Sequence, residues 1–348
     1  MAEPRKPVSV IGGGRWAATI ASIVCRELPL THAVTMHSPH NAAGLADWHA
    51  QHPAASVQDR PPDYARAKPH AVIVANAAAG HAAAAAQALS AGVPTLVEKP
   101  VALSVDEALR LEAIAGDKRT VLAASNVFLF ARYLETFAAR VVPSAGLKRL
   151  RFVWTDPVAE VRWGMRKRYD PSLMVTDDIL PHIVPVLTHR LALPVPTIDR
   201  VTVARGGAEV ALAVHLGAAP GEIVIARESD LRRRSIEVET VAGPALVNFA
   251  EEPAKLDVAG ARMDSDPTGD GKPSPLTAMV LSFLQAADGA PLDARLAGSL
   301  ALEALRLADK VRPHYLAEQQ HWLRSAPAKD AGREYAEREM EARASARL

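Results

Sequence analysis

The feature that most constrains the fold is a short apolar run that leads directly into three consecutive glycines. Residues 8–17 read VSVIGGGRWA, and apolar residues then recur at helical spacing as far as position 24. A strand, a glycine turn and a helix in this order form the context of a dinucleotide-binding fingerprint, with Gly12, Gly14 and Ala17 at its three small-residue positions. Gly12 allows the tight turn, and Gly14 lets backbone N–H groups approach a pyrophosphate at the helix N-terminus. Without this strand and helix, the triplet would predict only a tight surface loop.

Strands and helices alternate through the first third of the chain. The apolar patterns predict strands near 33–37, 71–75, 95–97 and 120–125, and helices near 41–51, 81–91 and 104–116. The last of these helices opens with a capping box formed by Ser104 and Glu107. This alternation predicts a doubly wound parallel sheet with helices on both faces, which is a Rossmann domain over residues 1–126.

The pattern changes in the rest of the chain. Alternating apolar residues, separated by turn residues, occur near 150–154, 210–216 and 236–241. Helical patterns occur near 176–191, 276–287 and 292–311. Because 348 residues suffice for two domains, we expect a C-terminal α+β domain at 127–325 with an open, mostly antiparallel sheet. The charged, Ala-rich stretch 326–348 predicts a solvated helix or a frayed tail.

Charge and hydropathy limit the classes of partner. The formal net charge of +1 gives no electrostatic argument for nucleic acid or a membrane surface, and no apolar run is long enough to span a bilayer. The first residues lack the apolar core of a signal peptide. Cys25 is the only cysteine, so no internal disulfide is possible. We therefore expect a cytoplasmic protein that acts on a small molecule, without nucleic-acid or membrane partners.

Neither of two possible metal motifs is convincing in the sequence. The stretch 259–275 superficially resembles a calcium loop, but Pro267 interrupts it and Pro275 replaces the bidentate glutamate. The histidines at 32, 37, 40, 49 and 52 are too scattered for a familiar ligand spacing. The sequence therefore predicts no metal.

A lysine stands where open α/β sheets bind their ligands. Glu98-Lys99-Pro100 directly follows the strand predicted at 95–97. An ammonium there could donate a hydrogen bond to substrate and stabilise negative charge that develops during hydride transfer. The alternative is an ordinary surface Glu–Lys pair before a loop.

The glycine turn, Asn76 and His81 after a buried strand, and Glu98-Lys99-Pro100 together resemble the Gfo/Idh/MocA family of NAD(P)-dependent oxidoreductases. The resemblance implies an N-terminal Rossmann domain, a C-terminal domain built on an open sheet, and a homodimer or homotetramer formed through that sheet. It also implies that Lys99 lies beside the nicotinamide and the substrate. Asn76, His81, Glu98 and Asn126 are implied neighbours of the cofactor or active site.

A second signature of the family is an aspartate followed four residues later by a histidine. Asp178 and His182 have this spacing, which places both side chains on one face of a regular helix. Asp178 would then orient the imidazole, and His182 would donate or accept the proton at the reacting centre. The alternative is that Asp177 or Asp178 only caps a helix, and Pro181 and Pro185 make its geometry uncertain.

The sequence departs from the pattern of sugar- and inositol-oxidising relatives. These relatives commonly have an aspartate three or four residues after the histidine, whereas Pro185 and Val186 occupy those positions here. Upstream lies a basic segment whose guanidinium groups suit a carboxylate or phosphate, with Arg162, Arg166, Arg168 and Tyr169 as predicted substrate residues beside Lys167. A solvated basic loop is the alternative.

The end of the second predicted strand favours NADP(H) over NAD(H). Residues 36–41 read MHSPHN, without the acidic residue that binds both ribose hydroxyls of NAD. Ser38, His40 and Asn41 could donate hydrogen bonds to a 2′-phosphate, and Arg15 could reach it or the adenine. The predicted cofactor-binding set is Gly12, Gly13, Gly14, Arg15, Trp16, Ser38, His40, Asn41, Asn76, His81, Glu98, Lys99 and Asn126.

These patterns predict an oxidoreductase that transfers a hydride between NADP(H) and a C=O or C=N carbon of a small, polar, anionic molecule, as in a biosynthetic reductase. Lys99, His182 and Asp178 are the predicted catalytic residues, with the lysine and the imidazole flanking one nicotinamide ring. Two alternatives stay open: a sugar or cyclitol dehydrogenase, and a dinucleotide-binding regulator without turnover.

Overall fold

The chain folds into two compact units. The structure is a computed structural model that describes residues 4–66, 68–141, 146–158, 161–162, 165–166, 169–251, 253–266, 273–325 and 330–346. The first unit comprises Met1–Phe130 and Pro273–Leu302, and the second comprises Ala131–Lys272 and Glu303–Leu348. The predicted first boundary at 126 lies close to this division, but residues 273–302 group with the N-terminal part rather than with the C-terminal domain.

A parallel sheet organises the first unit. Its strands are β1 (Lys6–Ile11), β2 (His32–His37), β3 (Ser56–Gln58), β4 (Ala71–Val74), β5 (Thr95–Val97) and β6 (Leu122–Ala124). They lie in the order β3-β2-β1-β4-β5-β6, and each neighbouring pair is parallel. The strand order reverses between β1 and β4, which is the switch point where such sheets bind ligands. The predicted doubly wound parallel sheet is confirmed.

Most helices lie where the sequence patterns predict them, but α5 was not predicted, α2 begins later than expected, and α8 begins and ends later than the predicted 292–311. They are α1 (Arg15–Glu27), α2 (Ala46–Gln51), α3 (His81–Ser90), α4 (Val105–Lys118), α5 (Arg132–Arg140), α6 (Val175–Pro185), α7 (Pro275–Ala287), α8 (Gly298–Ser325) and α9 (Ala331–Ala346). Within the described residues, none of these helices has the length and apolarity needed to cross a membrane.

The core of the first unit lies where α3 and α4 pack on the sheet. Every residue of β4 is buried, as expected for a parallel strand covered on both faces. Ala85, Ala88 and Leu89 of α3 are buried in the same cluster as Leu111 of α4. Small side chains on α3 allow its backbone to approach the sheet closely.

The start of α4 confirms the predicted capping. The backbone N–H of Glu107 donates to the Ser104 hydroxyl over 3.2 Å. The Glu107 carboxylate in turn accepts from the backbone N–H of Leu103 over 3.1 Å, one residue earlier than in a standard capping box. The helix continues to Lys118, two residues beyond its predicted end, and stops at Arg119 in the left-handed conformation.

A mixed, mostly antiparallel sheet organises the second unit. Its strands are β7 (Leu147–Pro157), β10 (Thr197–Ala204), β11 (Glu209–Leu216), β12 (Ala219–Ser229), β13 (Arg233–Thr240), β14 (Gly243–Asn248), β15 (Lys255–Val258) and β16 (Ala261–Met263), while β8 (Val161–Arg162) and β9 (Met165–Arg166) pair separately. The order is β10-β11-β12-β7-β13-β14-β15-β16, and among these strands β12 and β7 form the parallel pair. The predicted architecture of this domain is confirmed.

Two prolines shape the end of α6. Pro181 and Pro185 lie inside the helix, and both lack the N–H that a regular turn requires. After Pro185 the backbone continues as a π-helical turn over Val186–Arg190, in which the N–H of Leu191 donates to the carbonyl of Val186. The helix predicted near 176–191 is therefore one α-helix that ends in a wider turn.

The predicted solvated tail is wrong for α9. Tyr335, Ala336 and Glu339 form a buried face of this helix, although the surrounding residues are charged and exposed. The helix packs beside a turn at Gly206, where φ is +67° and an added Cβ would lie 3.2 Å from the Cβ of Ala336. The charged composition concealed this face because only a few of its positions are apolar or aromatic.

Candidate functional site

The glycine turn after β1 is closed on one side and open on the other. Gly12 has φ of +144°, and a Cβ there would lie 2.5 Å from the carbonyl oxygen of Ala75. A Cβ at Gly13 would overlap the hydroxyl of Ser38. At Gly14, by contrast, no atom of the described residues would come within 4 Å of an added Cβ. The first two glycines allow close packing within the protein, whereas Gly14 borders open space.

The helix N-terminus at this turn is available to an anion. Gly14 is the N-cap of α1, and no side chain of the described part of the chain caps it. The first turn also lacks an acidic residue, so the partial positive charge of the N-terminus is not neutralised from within the helix. Backbone N–H groups beside an open glycine fit a diphosphate, and this observation supports the fingerprint assignment.

Residues after β2 hold the glycine turn. The amide nitrogen Nδ2 of Asn41 donates to the carbonyl of Gly13 over 2.7 Å. Ser38 is buried, and its hydroxyl occupies the space that a side chain at Gly13 would need. The exposed side chains nearby in sequence are those of His40, Arg15 and Trp16. The supporting role of Ser38 and Asn41 was not predicted from the sequence.

The Glu98-Lys99-Pro100 segment follows β5 and is fixed by its glutamate. Oε1 of the buried Glu98 accepts a hydrogen bond from the Ser125 hydroxyl over 2.6 Å. Oε2 accepts from the backbone N–H of Lys99 over 3.4 Å, and the Lys99–Pro100 peptide bond is cis. Ser125 follows β6 at the same edge of the sheet, and it is a site neighbour that the sequence analysis missed.

His81 joins the loops that follow β4 and β5. Its buried ring places Nδ1 2.8 Å from the carbonyl oxygen of Pro100 and Nε2 3.0 Å from that of Asn76. The side-chain oxygen Oδ1 of Asn76 is buried and has no hydrogen-bond partner within the described chain. An unpaired acceptor at this position is a second observation that fits a bound cofactor.

Asn126 serves the packing of the first unit. Its Nδ2 donates to the carbonyl of Arg295 over 3.0 Å, so it ties the end of the sheet to the 273–302 segment. Asn126 follows Ser125, and both lie beyond the carboxyl end of β6. The resemblance placed it near the cofactor, and the structure adds this tie to the later segment.

The structure gathers these groups at one edge of one sheet. Gly12, Ser38, Asn76, Glu98 and Ser125 come after β1, β2, β4, β5 and β6, respectively. Because all five strands are parallel, their carboxyl ends share that edge. The predicted cofactor residues Gly12, Ser38, Asn76 and Glu98 therefore lie along one edge of the sheet.

In the second unit, α6 presents Asp178 and His182. Oδ2 of Asp178 accepts from the guanidinium of Arg227 in β12 over 2.8 Å, and this arginine is buried. The ring of His182 stacks on Trp154 of β7, with centroids 5.2 Å apart and planes 11° from parallel. Trp154 also contacts the guanidinium of Arg234 at 4.0 Å from the ring centroid. Arg227, Trp154 and Arg234 were not predicted as neighbours of this pair.

The alternative prediction that Asp177 or Asp178 caps α6 is wrong. Met174 is the N-cap, and no described side chain caps this helix. Asp177 is instead buried, and both its oxygens lie 3.3 Å from the guanidinium of Arg312 in α8. Burial raises the pKa of Asp177 to about 6, although Arg312 opposes the shift.

We expect Asp177→Asn to change how stability depends on pH. A folded-state pKa of about 6 against 3.8 means that the folded state retains the proton more strongly than the unfolded state. As the pH rises from 4 to 6, the free energy of unfolding of the wild type should therefore fall by up to roughly 3 kcal/mol relative to that of Asp177→Asn. Chemical denaturation at several pH values measures this difference. Asp199→Asn, at an exposed position, serves as the control. If the wild type instead became more stable than Asp177→Asn as the pH rose, the expectation would be contradicted.

The basic segment upstream of α6 is described only in part. Arg162 and Arg166 lie in β8 and β9, and Arg168 and Lys167 fall outside the described residues. Tyr169 donates its hydroxyl to Glu228 over 2.6 Å, and Arg227 lies 4.6 Å from its ring centroid. Burial and the nearby Glu228 raise the pKa of Tyr169. Its hydroxyl is thus bonded within the second unit, a role that the sequence did not indicate.

A buried polar network connects α9 to this region. Both oxygens of Glu339, which is fully buried, accept hydrogen bonds of 2.7 Å, one from Tyr335 and one from Tyr315. Nη1 of Arg227 lies 3.6 Å from the same carboxylate, and its Nη2 donates to Asp178. The last helix therefore stabilises the arginine that holds Asp178.

Comparisons with known proteins agree with the fold. Residues 6–125 match the family model GFO_IDH_MocA, described as an oxidoreductase family with an NAD-binding Rossmann fold. No curated protein sequence matches the chain. Solved structures that resemble it include UDP-N-acetylglucosamine 3-dehydrogenase GnnA from Acidithiobacillus ferrooxidans, at 19% identity, with a TM-score of 0.70 and coverage of 89% of this chain and 98% of that one.

Two further structures share the fold. One is KijD10, a 3-ketoreductase from Actinomadura kijaniata in complex with TDP-benzene and NADP, at 17% identity, with a TM-score of 0.70 and coverage of 89% of this chain and 97% of that one. The other is GenD2 from gentamicin A biosynthesis in complex with NAD, at 17% identity, with a TM-score of 0.71 and coverage of 91% and 95%. The family match therefore covers the Rossmann domain at residues 6–125, and the solved structures show that both units share the fold of these proteins.

Proposed function

We propose that this protein transfers a hydride between NADP(H) and a C=O or C=N carbon of a small, polar substrate that carries an anionic group. The observation that carries the proposal is the open, uncapped helix N-terminus at Gly14, at the same sheet edge as Lys99. An oxidoreductase needs both a diphosphate site and a charged donor near the reacting carbon, and this edge offers both.

The residues of the first unit fit the cofactor. The N–H groups of the α1 N-terminus would bind the diphosphate, and the unpaired Oδ1 of Asn76 would accept a hydrogen bond from an amide or hydroxyl of the nucleotide. His40 and Arg15 are exposed and would bind the 2′-phosphate on the adenosine ribose of NADP. When bound, the nicotinamide supplies or accepts the hydride.

Lys99 and His182 are the proposed proton-handling groups. Lys99 would donate a hydrogen bond to the oxygen or nitrogen at the reacting carbon, where negative charge develops as the hydride arrives. His182 would donate or accept the proton, with its ring held by stacking on Trp154. Asp178, which Arg227 fixes in place, would orient the imidazole of His182 on the same helix.

The proposed substrate carries a carboxylate or a phosphate. Support comes from the arginines at 162, 166 and 168, and from the names of two structural neighbours. GnnA is named for a UDP-linked sugar, and KijD10 was solved with TDP-benzene, so both proteins are described with a nucleoside diphosphate. We therefore favour a keto sugar attached to a nucleoside diphosphate as the first substrate class to assay.

Arg166→Ala is expected to raise the Michaelis constant for substrate about 10- to 100-fold, because a charge-assisted hydrogen bond to an anion contributes about 1.5–3 kcal/mol. The turnover number should change less, since the anionic group lies away from the reacting carbon. Steady-state kinetics measure both constants. Arg324→Ala, at an exposed position of α8, is the control. An unchanged Michaelis constant in Arg166→Ala would remove the anionic-group proposal.

Cofactor preference is a separate prediction. We expect the protein to bind NADPH about tenfold more tightly than NADH, since residues 36–41 contain no carboxylate to repel a 2′-phosphate and His40 is exposed there. Nucleotide fluorescence titrations give both dissociation constants. Equal constants would refute the preference, and tighter binding of NADH would reverse it.

A sugar or cyclitol dehydrogenase is the second candidate function. The likeness to GnnA, a UDP-N-acetylglucosamine 3-dehydrogenase, favours it, whereas Pro185 and Val186 stand where such relatives commonly have the aspartate that binds a hydroxyl. Assays in both directions separate the candidates: NADPH oxidation with keto compounds and imines, and NADP⁺ reduction with sugars and cyclitols. Binding of NADPH without turnover in either panel would favour a regulator instead.

A further inference from the structure

Two histidines and an aspartate meet at the opposite edge of the parallel sheet from the candidate site. His32 begins β2, His70 precedes β4, and Asp288 follows α7. One ligand atom from each lies within 4.8 Å of the others. The rings of His32 and His70 are 6.1 Å apart in an edge-to-face arrangement. Since β1 has six residues, this cluster lies roughly 20 Å along the strands from the glycine turn.

Each imidazole presents a nitrogen atom to the cluster, and Nε2 of His70 already lies beside the Asp288 carboxylate. Nε2 of His32 is buried and has no hydrogen-bond partner in the described residues, while His32 itself is only 6% exposed. Its other nitrogen, Nδ1, lies 2.9 Å from the Thr31 hydroxyl, which can fix the ring in the tautomer that leaves Nε2 unprotonated. Nε2 of His70 approaches Oδ1 of Asp288 to 2.8 Å, but without the geometry of a regular hydrogen bond.

We propose that His32, His70 and Asp288 form a binding site for a divalent transition-metal ion, with Zn²⁺ as the best match. Imidazole nitrogen and carboxylate oxygen are ligands of zinc, and three protein ligands leave a fourth position for water. Two ligands of a tetrahedral zinc ion with bonds of about 2.0 Å are about 3.3 Å apart, so the observed atoms need only small side-chain movements. The site is independent of the proposed hydride transfer.

Lys6 explains how the site is held without metal. Its ammonium lies 2.6 Å from Oδ1 of Asp288, and both side chains are more than a third exposed. An exposed pair of this kind contributes little to stability, so a metal ion can displace the ammonium from the carboxylate. Lys6 and His32 are register partners at the start of β1 and β2, which places the competing cation beside the ligands.

A metal bound here would join distant parts of the first unit. Asp288 belongs to the 273–302 segment, whereas His32 and His70 belong to the N-terminal sheet. The ion would therefore cross-link the returning segment to the sheet and raise the melting temperature of this unit.

The test is zinc binding to the full chain, prepared metal-free and without a histidine tag. Competition of ZnCl₂ with a chromophoric chelator should give one site per chain with a micromolar or lower dissociation constant. His70→Gln and Asp288→Asn should each weaken binding at least tenfold. His314→Gln, an exposed histidine on α8, should leave it unchanged. Lys6→Met should tighten binding severalfold, because it removes the competing ammonium.

Several results would overturn the site. The proposal fails if the chain binds no zinc at one ion per chain. It also fails if the wild type, His70→Gln and Asp288→Asn bind zinc with equal affinity. Weaker zinc binding by Lys6→Met would show that the Lys6 ammonium does not compete with the metal ion for Asp288. Melting temperatures in a chelator show that each variant folds, and Co²⁺ absorption in the visible range reports whether the ligands are tetrahedral. NADPH affinity should stay the same with and without zinc, since the cofactor residues lie at the other end of the strands.

Discussion

Lys99→Met is expected to lower the turnover number about 10²- to 10⁴-fold, the usual contribution of a positioned proton donor or charge stabiliser. The substitution removes the ammonium but keeps the length of the side chain. Glu98 bonds the backbone N–H of residue 99 and the Ser125 hydroxyl, so the loop retains its supports. The affinity for NADPH should change much less than the turnover number.

The measurement uses the substrate identified by the ketone, imine and sugar panel, with NADPH oxidation followed at 340 nm as the standard readout. Lys118→Met, at an exposed position near the end of α4, controls for the loss of one positive charge. If Lys99→Met and Lys118→Met had equal turnover numbers, Lys99 would have no part in the chemistry. A large rise in the NADPH dissociation constant with unchanged turnover would assign Lys99 to cofactor binding alone.

Glu339→Ala should be the most destabilising of the substitutions considered for the second unit, by about 3–5 kcal/mol. The substitution removes one of the two carboxylates that pair with the buried Arg227, so that only Asp178 remains of the two. It also removes the acceptor of the Tyr315 and Tyr335 hydroxyls. Groups buried without their partners account for the size of the effect. In a unit of this size, we expect a melting temperature lower by roughly 10 °C.

Two further variants make this prediction specific. Glu339→Gln keeps the shape and an acceptor oxygen, so its loss of stability should be clearly smaller than that of Glu339→Ala. Glu337→Ala removes an exposed carboxylate of the same helix, which pairs with Arg333 and should contribute at most about 1 kcal/mol. If Glu339→Ala and Glu337→Ala destabilised the protein equally, the buried network would not hold α9 in place.

The sheet edge with the candidate cofactor site could be predicted because its determinants are local. A strand, three glycines and a helix within residues 8–24 define the first turn, and Glu98-Lys99-Pro100 directly follows a short strand. Each strand end is set by a pattern of a few residues, and the parallel order then places these ends together. The supports beneath the turn could not be predicted, since Asn41 reaches Gly13 across 28 positions.

The surroundings of Asp178 and His182 lay beyond sequence reasoning for the same physical reason. Arg227 follows Asp178 by 49 positions, and Glu339 lies more than one hundred positions beyond Arg227. Their pairing is set by how β12, α6 and α9 pack, which no local pattern encodes. The solvated-tail prediction failed in the same way, since charged residues around Glu339 mask the buried positions of its helix.

The late return of residues 273–302 to the first unit has a consequence for how the chain is made. Helix α7 contributes Met279, Val280 and Phe283 to buried packing, and the Ser125 hydroxyl lies 3.5 Å from the sulfur of Met279. While a ribosome is still translating residues 131–272, α1 and the turn after β6 lack α7, the helix that packs against them. The apolar surface that α7 covers in the folded protein is therefore exposed to water until more than a hundred further residues have been synthesised. Chaperone capture during elongation would shield this intermediate, and fragments ending near residue 130 are expected to aggregate.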